Sequence, residues 1–146
     1  MTRPKTPRRT RLWHLPQLAR ILWAADPRSC RRARLDDLRT LARLVMQGQV
    51  THVPGRFGPR GFLARRHSHI HALYTHPRAR RQGIGSHLLS HAQAQTPQLE
   101  LWTAQDNSPA RRLYQAHGFY PIALTNGQGN DDGRPDMRLI WQRNAP

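Results

Sequence analysis

The sequence predicts an α/β domain with a mixed central β-sheet flanked by helices, and three observations point there. Helical stripes and strand-like runs follow one another along the chain. A basic, glycine-bearing turn, Arg80-Arg81-Gln82-Gly83-Ile84-Gly85-Ser86, joins an extended run to a helix. The last two strand-like runs flank a polar, turn-rich stretch, which makes them antiparallel neighbours.

Each element has a local cause. Residues 1–10 are basic and proline-containing and read as a flexible arm. Residues 11–146 then form a single domain, with no internal repeat or further boundary. Leu15, Leu18, Leu22 and Ala25 recur at helical spacing, and Asp26-Pro27-Arg28-Ser29 breaks that helix. Leu35, Leu38, Leu41, Ala42 and Val45 form a second stripe, stopped by Gly48. Gln49 to Val53 is a short strand, and Pro54 to Pro59 is a loop by its breakers. Gly61–Arg66 and His69–Thr75 read as a hairpin. The helix after the glycine turn carries Ile84, Leu88, Leu89 and Ala92 on one side and ends near Gln95. Leu99 to Trp102 alternates as a strand does. Ser108 is placed to cap the next helix, with Pro109 at its first position and Gly118 just past its end. Phe119–Thr125 and Asp136–Arg143 are the closing strands.

Composition bounds the partners. In 146 residues there are 24 Lys and Arg against 8 Asp and Glu, a formal net charge of +16. Such a field draws polyanions: nucleic acid, anionic membrane or phosphorylated small molecules. Arginine enrichment of the whole composition explains the same charge, since Lys5 is the only lysine. Cys30 is the single cysteine, which suits a reducing compartment and an ordinary free thiol. No apolar run is long enough to span a bilayer, and Gln17, Arg20 and Asp26 argue against a signal peptide. A cytoplasmic protein with no membrane partner is the expectation.

The glycine turn is where chemistry concentrates. Backbone without side chains lets a ligand approach closely, and a helix start offers unpartnered N–H groups and partial positive charge. Strand, basic turn and helix N-terminus together suit a phosphate. A tight turn alone also explains a Gly-x-Gly. The Walker ending and the third dinucleotide glycine are both missing. Same-face His67, His69 and His71 are read as exposed polar side chains and not as a metal set, because no cysteine or carboxylate completes a site. Asn130-Asp131-Asp132-Gly133 lacks the distal glutamate of a calcium loop.

His69 to Pro77 followed by Arg80 to Leu89 resembles the acetyl-CoA site of the GNAT superfamily of N-acetyltransferases. That family's mark is Arg/Gln-x-x-Gly-x-Gly/Ala at the head of a helix, and Arg80, Gly83 and Gly85 stand in those positions. The run from Asp106 to Phe119 resembles its second motif, an Asn before a helix that carries a Tyr, then Gly-Phe. The resemblance implies a GNAT-like fold and direct transfer of an acetyl group from acetyl-CoA, the acetyl donor, to an amine acceptor, with no metal. It implies that Leu73, Tyr74 and Thr75 lie along the pantetheine arm. Residues Arg80, Arg81, Gln82, Gly83, Ile84, Gly85 and Ser86 would hold the diphosphate, and Asn107 the pantetheine. Tyr114 would protonate the leaving thiolate. For the base that takes the amine's proton, His71, Glu100 and an ordered water are the candidates, with His71 first.

Two other readings use the same fold. One is a nucleic-acid-associated binding protein, motivated by the charge; Trp13, Trp23, Trp102 and Trp141 are spread along the chain and make no obvious stacking platform. The other is a coenzyme-binding regulator without transfer. A homodimer whose neighbouring subunit builds half of the site stays open.

Overall fold

A computed structural model describes residues 5–25, 31–130 and 133–144. The break expected at Asp26 to Ser29, Cys30 and the Asp131-Asp132 pair lie outside the described residues. The elements are β1 (Arg8–Arg9), α1 (Leu15–Ala25), α2 (Arg31–Met46), β2 (Val50–Gly55), β3 (Gly58–Arg66), β4 (His69–Thr75), α3 (Ile84–Gln95), β5 (Gln98–Ala104), α4 (Ser108–Ala116), β6 (Tyr120–Leu124) and β7 (Asp136–Gln142). The strands form one mixed sheet in the order β1-β2-β3-β4-β5-β7-β6.

Strand alternation sorts the apolar residues onto the two faces. Phe62 and Ala64 of β3 pack with Val50 under α1 and α2, against Leu18, Ile21, Leu41, Leu44 and Val45. Leu63 of β3, one residue out of phase, packs with Ile70, Leu99, Leu101 and Leu139 under α3 and α4. There it meets Ile84, Leu88, Leu89, Ala92 and Tyr114. Among the described residues no helix is long and apolar enough to cross a membrane.

Two expectations change. Residues 8–10 are not a free arm: Arg8 and Arg9 pair with His52 and Thr51 as an edge strand. Thr10 is buried, and its N–H donates to the Val50 carbonyl at 2.9 Å. Its hydroxyl lies 3.0 Å from Nδ1 of the buried His52, whose ring sits 4.4 Å from that of His14. The loop expected from Pro54 to Pro59 shrinks to a tight turn at Arg56-Phe57, because β2 and β3 stay paired out to Gly55↔Gly58. The prolines fall where the register shifts after Val53, a bulge that tolerates a missing donor.

Candidate active site

The site lies where the two halves of the sheet meet. Strands β4 and β5 are parallel neighbours joined by a single paired position, His69↔Glu100, at the start of β4. Glu100 N–H donates to the Ser68 carbonyl at 2.8 Å, and beyond that point the strands separate. A gap therefore opens toward their carboxyl ends, where ligands of open α/β sheets sit.

The register of β4 decides which groups face this gap. His76 N–H donates to the Arg60 carbonyl at 2.8 Å, so that pair is hydrogen-bonded. Hydrogen-bonded pairs alternate along an antiparallel ladder, which turns the peptide groups of Tyr74 toward Phe62 of β3. Those of Leu73 and Thr75 turn toward the gap. Tyr74, between them, spends its peptide groups on β3. The register also shifts between Ala64 and Arg65, and the extra residue on β4 is His71. A bulge of this kind re-aims side chains beside a site.

Past Thr75, a short 3-10 turn at Pro77–Ala79 leads into the glycine loop. Arg81 and Gly83 both take left-handed backbone, with φ of 61° and 75°. Only glycine adopts this readily, so at Arg81 the loop stores strain, as binding loops do. Gly83 is the N-cap of α3, and His87 N–H reaches back to its carbonyl at 2.9 Å. The N–H groups of Ile84, Gly85 and Ser86 fall in the first helical turn, which leaves them without carbonyls one turn back. The two glycines differ in purpose. A Cβ on Gly83 meets nothing within 4 Å, so its need is conformational. A Cβ on Gly85 stands 3.2 Å from Leu113 Cδ2, so that glycine lets α4 press against α3. Gly61 serves similarly: a Cβ there lies 2.7 Å from Ile84 Cγ2 and 2.9 Å from the Tyr74 carbonyl.

Ser86 is backed by a chain that sequence reading missed. Gln93 Nε2 donates to the His117 carbonyl at 2.9 Å, which fixes the amide so that Oε1 faces His117 Nδ1 at 3.1 Å. His117 therefore carries its proton on Nδ1, and Nε2 accepts from the Ser86 hydroxyl at 2.7 Å. Burial lowers the His117 pKa, which keeps the ring neutral. With its hydroxyl committed, Ser86 has only its N–H to offer toward the loop. The partners are 31 residues apart, and no local pattern announces the contact.

Helix α4 carries the second motif and packs on the head of α3 through Leu113. Its cap is Asn107 and not Ser108: Asn107 Oδ1 accepts from Ala110 N–H at 3.3 Å. The asparagine Nδ2 takes no part in the cap. Tyr114 is 8% exposed and packs against Phe119 at 5.6 Å between ring centroids. Burial first, and Tyr74 second, push its phenol pKa up, so it stays protonated through the neutral range.

The two candidate bases are differently placed. His71 is exposed, and its ring stands edge-on to His69 at 4.7 Å. Partial burial, then His69 and Arg66, hold its pKa below the usual imidazole value, so it is free to accept a proton at neutral pH. Glu100 is engaged. Arg138 donates to its Oε2 through both Nε, at 3.1 Å, and Nη2, and His69 Nδ1 lies 3.8 Å from Oε1. This carboxylate stitches β4, β5 and β7 together at the root of the gap. Arg138, 38 residues away, could not be read from the sequence. Among the described residues no group of three or more His, Cys, Asp or Glu converges as a metal site requires.

Comparison with known proteins identifies the family and the fold. The model of the acetyltransferase (GNAT) family matches residues 14–119. The peptidyl-lysine N-acetyltransferase YiaC of Escherichia coli (strain K12) is 43% identical over 51 residues, 35% of this chain and 35% of that protein. The match thus spans about a third of the length of that curated relative. A GNAT-family acetyltransferase structure from Bacillus cereus superposes with a TM-score of 0.79 at 16% identity, covering 95% of this chain and 97% of that one. Arabidopsis thaliana NAA60 in complex with a bisubstrate analogue gives 0.78 at 16%, covering 96% and 98%. The ribosomal-protein-S18-alanine N-acetyltransferase of Escherichia coli gives 0.75 at 19%, covering 97% and 95%. At such identities these structures establish the fold. The family match, taken over a parted β4–β5 pair, a glycine loop at the head of α3 and a capped α4, makes the chain a member of the GNAT acetyltransferase family.

Proposed function

We propose that the chain is an N-acetyltransferase that moves the acetyl group of acetyl-CoA directly to an amine of a peptide, protein or small molecule. The observation that carries this reading is the inner edge of β4: the peptide groups of Leu73 and Thr75 face a gap that no strand fills. Such an edge suits a thin extended chain with alternating amides, which adds to the sheet as a strand does. The residues fit the rest of the coenzyme. N–H groups between Arg81 and Ser86 lie at a helix N-terminus, where a diphosphate is held, and Arg80 adds charge. Asn107 Nδ2 would donate to the arm. Acetyl-CoA supplies a thioester carbonyl open to attack by an uncharged amine.

The chain then has two protons to handle. His71, neutral at pH 7, accepts the one released by the amine, directly or through water. Tyr114, kept protonated by burial, gives one to the departing sulfur. Glu100 holds the root of the gap and orients His69 behind His71; Arg138 occupies the oxygen through which it would otherwise act. As the relatives are named for peptidyl-lysine and for ribosomal-protein-S18-alanine, peptide amines come first as acceptors. A net charge of +16 disfavours polycations. A single cysteine suits the cytoplasm. The test is calorimetry with coenzyme A, followed by a thiol-release screen over peptide N-termini, lysine peptides and small amines. Heat with coenzyme A and thiol release with one acceptor class is the expected result; no heat on folded protein removes the reading.

A further inference from the structure

A second cavity, of about 810 Å³, lies between the β2–β3 turn and the 3-10 turn before the glycine loop. Such a volume is ligand-sized. Its walls carry Lys5, Arg56, Arg60, Arg78 and His76, and no carboxylate among the described residues lines it. Lys5 reaches it because β1 is held against β2. At its rim stands Phe57, 91% exposed, with the Arg56 guanidinium over its ring at 5.4 Å from the centroid. A phenylalanine this exposed at the tip of a rigid hairpin gains nothing from the core. One wall is tied to the glycine loop, since Arg60 donates to Gln82 and Gln82 Nε2 to the Arg78 carbonyl at 3.3 Å. This cavity adjoins the glycine loop on the side away from the inner edge of β4: of the residues assigned to the acetyl donor, Gln82 lines it, and Leu73, Asn107 and Tyr114 do not.

We propose that this cleft docks a single-stranded nucleic acid, its phosphates against Lys5, Arg56, Arg60 and Arg78 and one base stacked on Phe57. Four cations in one concave wall suit a phosphate backbone, and an aromatic face beside arginine takes any base. The aromatic post is what favours nucleic acid over an acidic peptide: every nucleotide brings a flat base with its phosphate, and an aspartate or glutamate brings none. The four tryptophans scattered along the sequence made no platform; the platform is Phe57, which only the hairpin brings beside the cations.

The test is fluorescence anisotropy of a labelled oligouridylate and oligothymidylate of about 12 nucleotides. Neutralising about four phosphates gives a log–log salt slope near −3, or roughly 50-fold weaker binding from about 50 to 200 mM salt. Phe57→Ala is expected to weaken binding about tenfold with the slope unchanged, as loss of stacking does. Arg56→Gln is expected to flatten the slope by about 0.7, as loss of one phosphate contact does. Both variants should give wild-type heats with coenzyme A. The proposal is overturned by absent oligonucleotide binding, by binding indifferent to both substitutions, or by displacement of the oligonucleotide with saturating coenzyme A. It is equally overturned if a polyglutamate peptide binds as tightly and with the same dependence on Phe57, which makes the partner an acidic protein. Oligonucleotide binding without coenzyme A heat leaves this inference standing and removes the transferase reading.

Discussion

The two halves of the sheet are built differently. The N-terminal half, β1 to β4, is a run of antiparallel hairpins with helices over both faces, and even its outer strand is locked by the Thr10–His52 pair. The C-terminal half, β5, β7 and β6, packs one face on α3 and α4. Its other face shows Trp102 at 46% and Tyr120 at 40% exposure. The difference teaches a division of labour. On the reading proposed above, the covered half would present the backbone edge and the glycine loop, and the half-open part would supply the side chains Glu100, Asn107 and Tyr114. The join is one paired position, so what crosses the seam is chemistry more than hydrogen bonding.

The largest expected effect tests the side-chain half. Tyr114→Phe should lower kcat for acetyl transfer by about 100-fold and leave the KM for acetyl-CoA within about twofold. The ring still fills its place against Phe119, so thermal stability should change little. Normal turnover by this variant would mean that the leaving sulfur takes its proton elsewhere, and the division of labour would fail on its second side.

Acid tests the covered half. Burial first, then His14 and Arg8, hold the His52 pKa down to about 4 from the ordinary 6.5. A lowered histidine pKa means that the unfolded chain binds the proton more readily than the folded one. Stability is thus full above pH 6.5 and declines as pH falls toward 4. On the order of 2–3 kcal/mol should be lost across that window, read by urea unfolding at pH 7 and at pH 4.5. His52→Gln should remove this dependence. A profile already flat in the wild type would show that the N-terminal strand is not held through this ring.

The smallest effect concerns the seam. Glu100→Gln keeps a hydrogen-bonding oxygen but removes the charge that Arg138 meets. A partly buried pair of this sort contributes about 1 kcal/mol, and kcat should stay within roughly threefold. A drop comparable to that of Tyr114→Phe would move the base from His71 to Glu100.

Much of this was readable from the chain because helical and strand spacings are local signals. The stripes over Leu15–Ala25 and Ile84–Gln95 are helices, and Gly48 and Gly118 take left-handed backbone just past the ends of α2 and α4, at φ of 71° and 84°. The family motifs also located the glycine loop and α4. What escaped reading depends on partners far along the chain or on register. Arg8-Arg9 looks like a solvated basic tail until Thr10 is seen buried beside His52. Pro54 and Pro59 look like loop residues, and only the bulge shows how a ladder accommodates them. Ser108 and Asn107 are both good caps, and the choice between them is settled by which oxygen reaches Ala110. His71 carries no mark of being an inserted residue. Glu100, the lone glutamate, attracts notice as a base, yet its tie to Arg138 is invisible without β7 beside β5.

Sheets usually end at their margins, where an unsatisfied strand invites a foreign one and aggregation follows. The parting of β4 from β5 sets a bare rim in the middle of the molecule instead, flanked on both sides by the protein's own strands. A slot of that kind is shielded by its walls from the broad face of a neighbouring molecule but stays open to something slender. Such a notch is thus itself a filter: it suits a linear guest laid along the rim and turns away the sticky edges that an ordinary unpaired strand would collect.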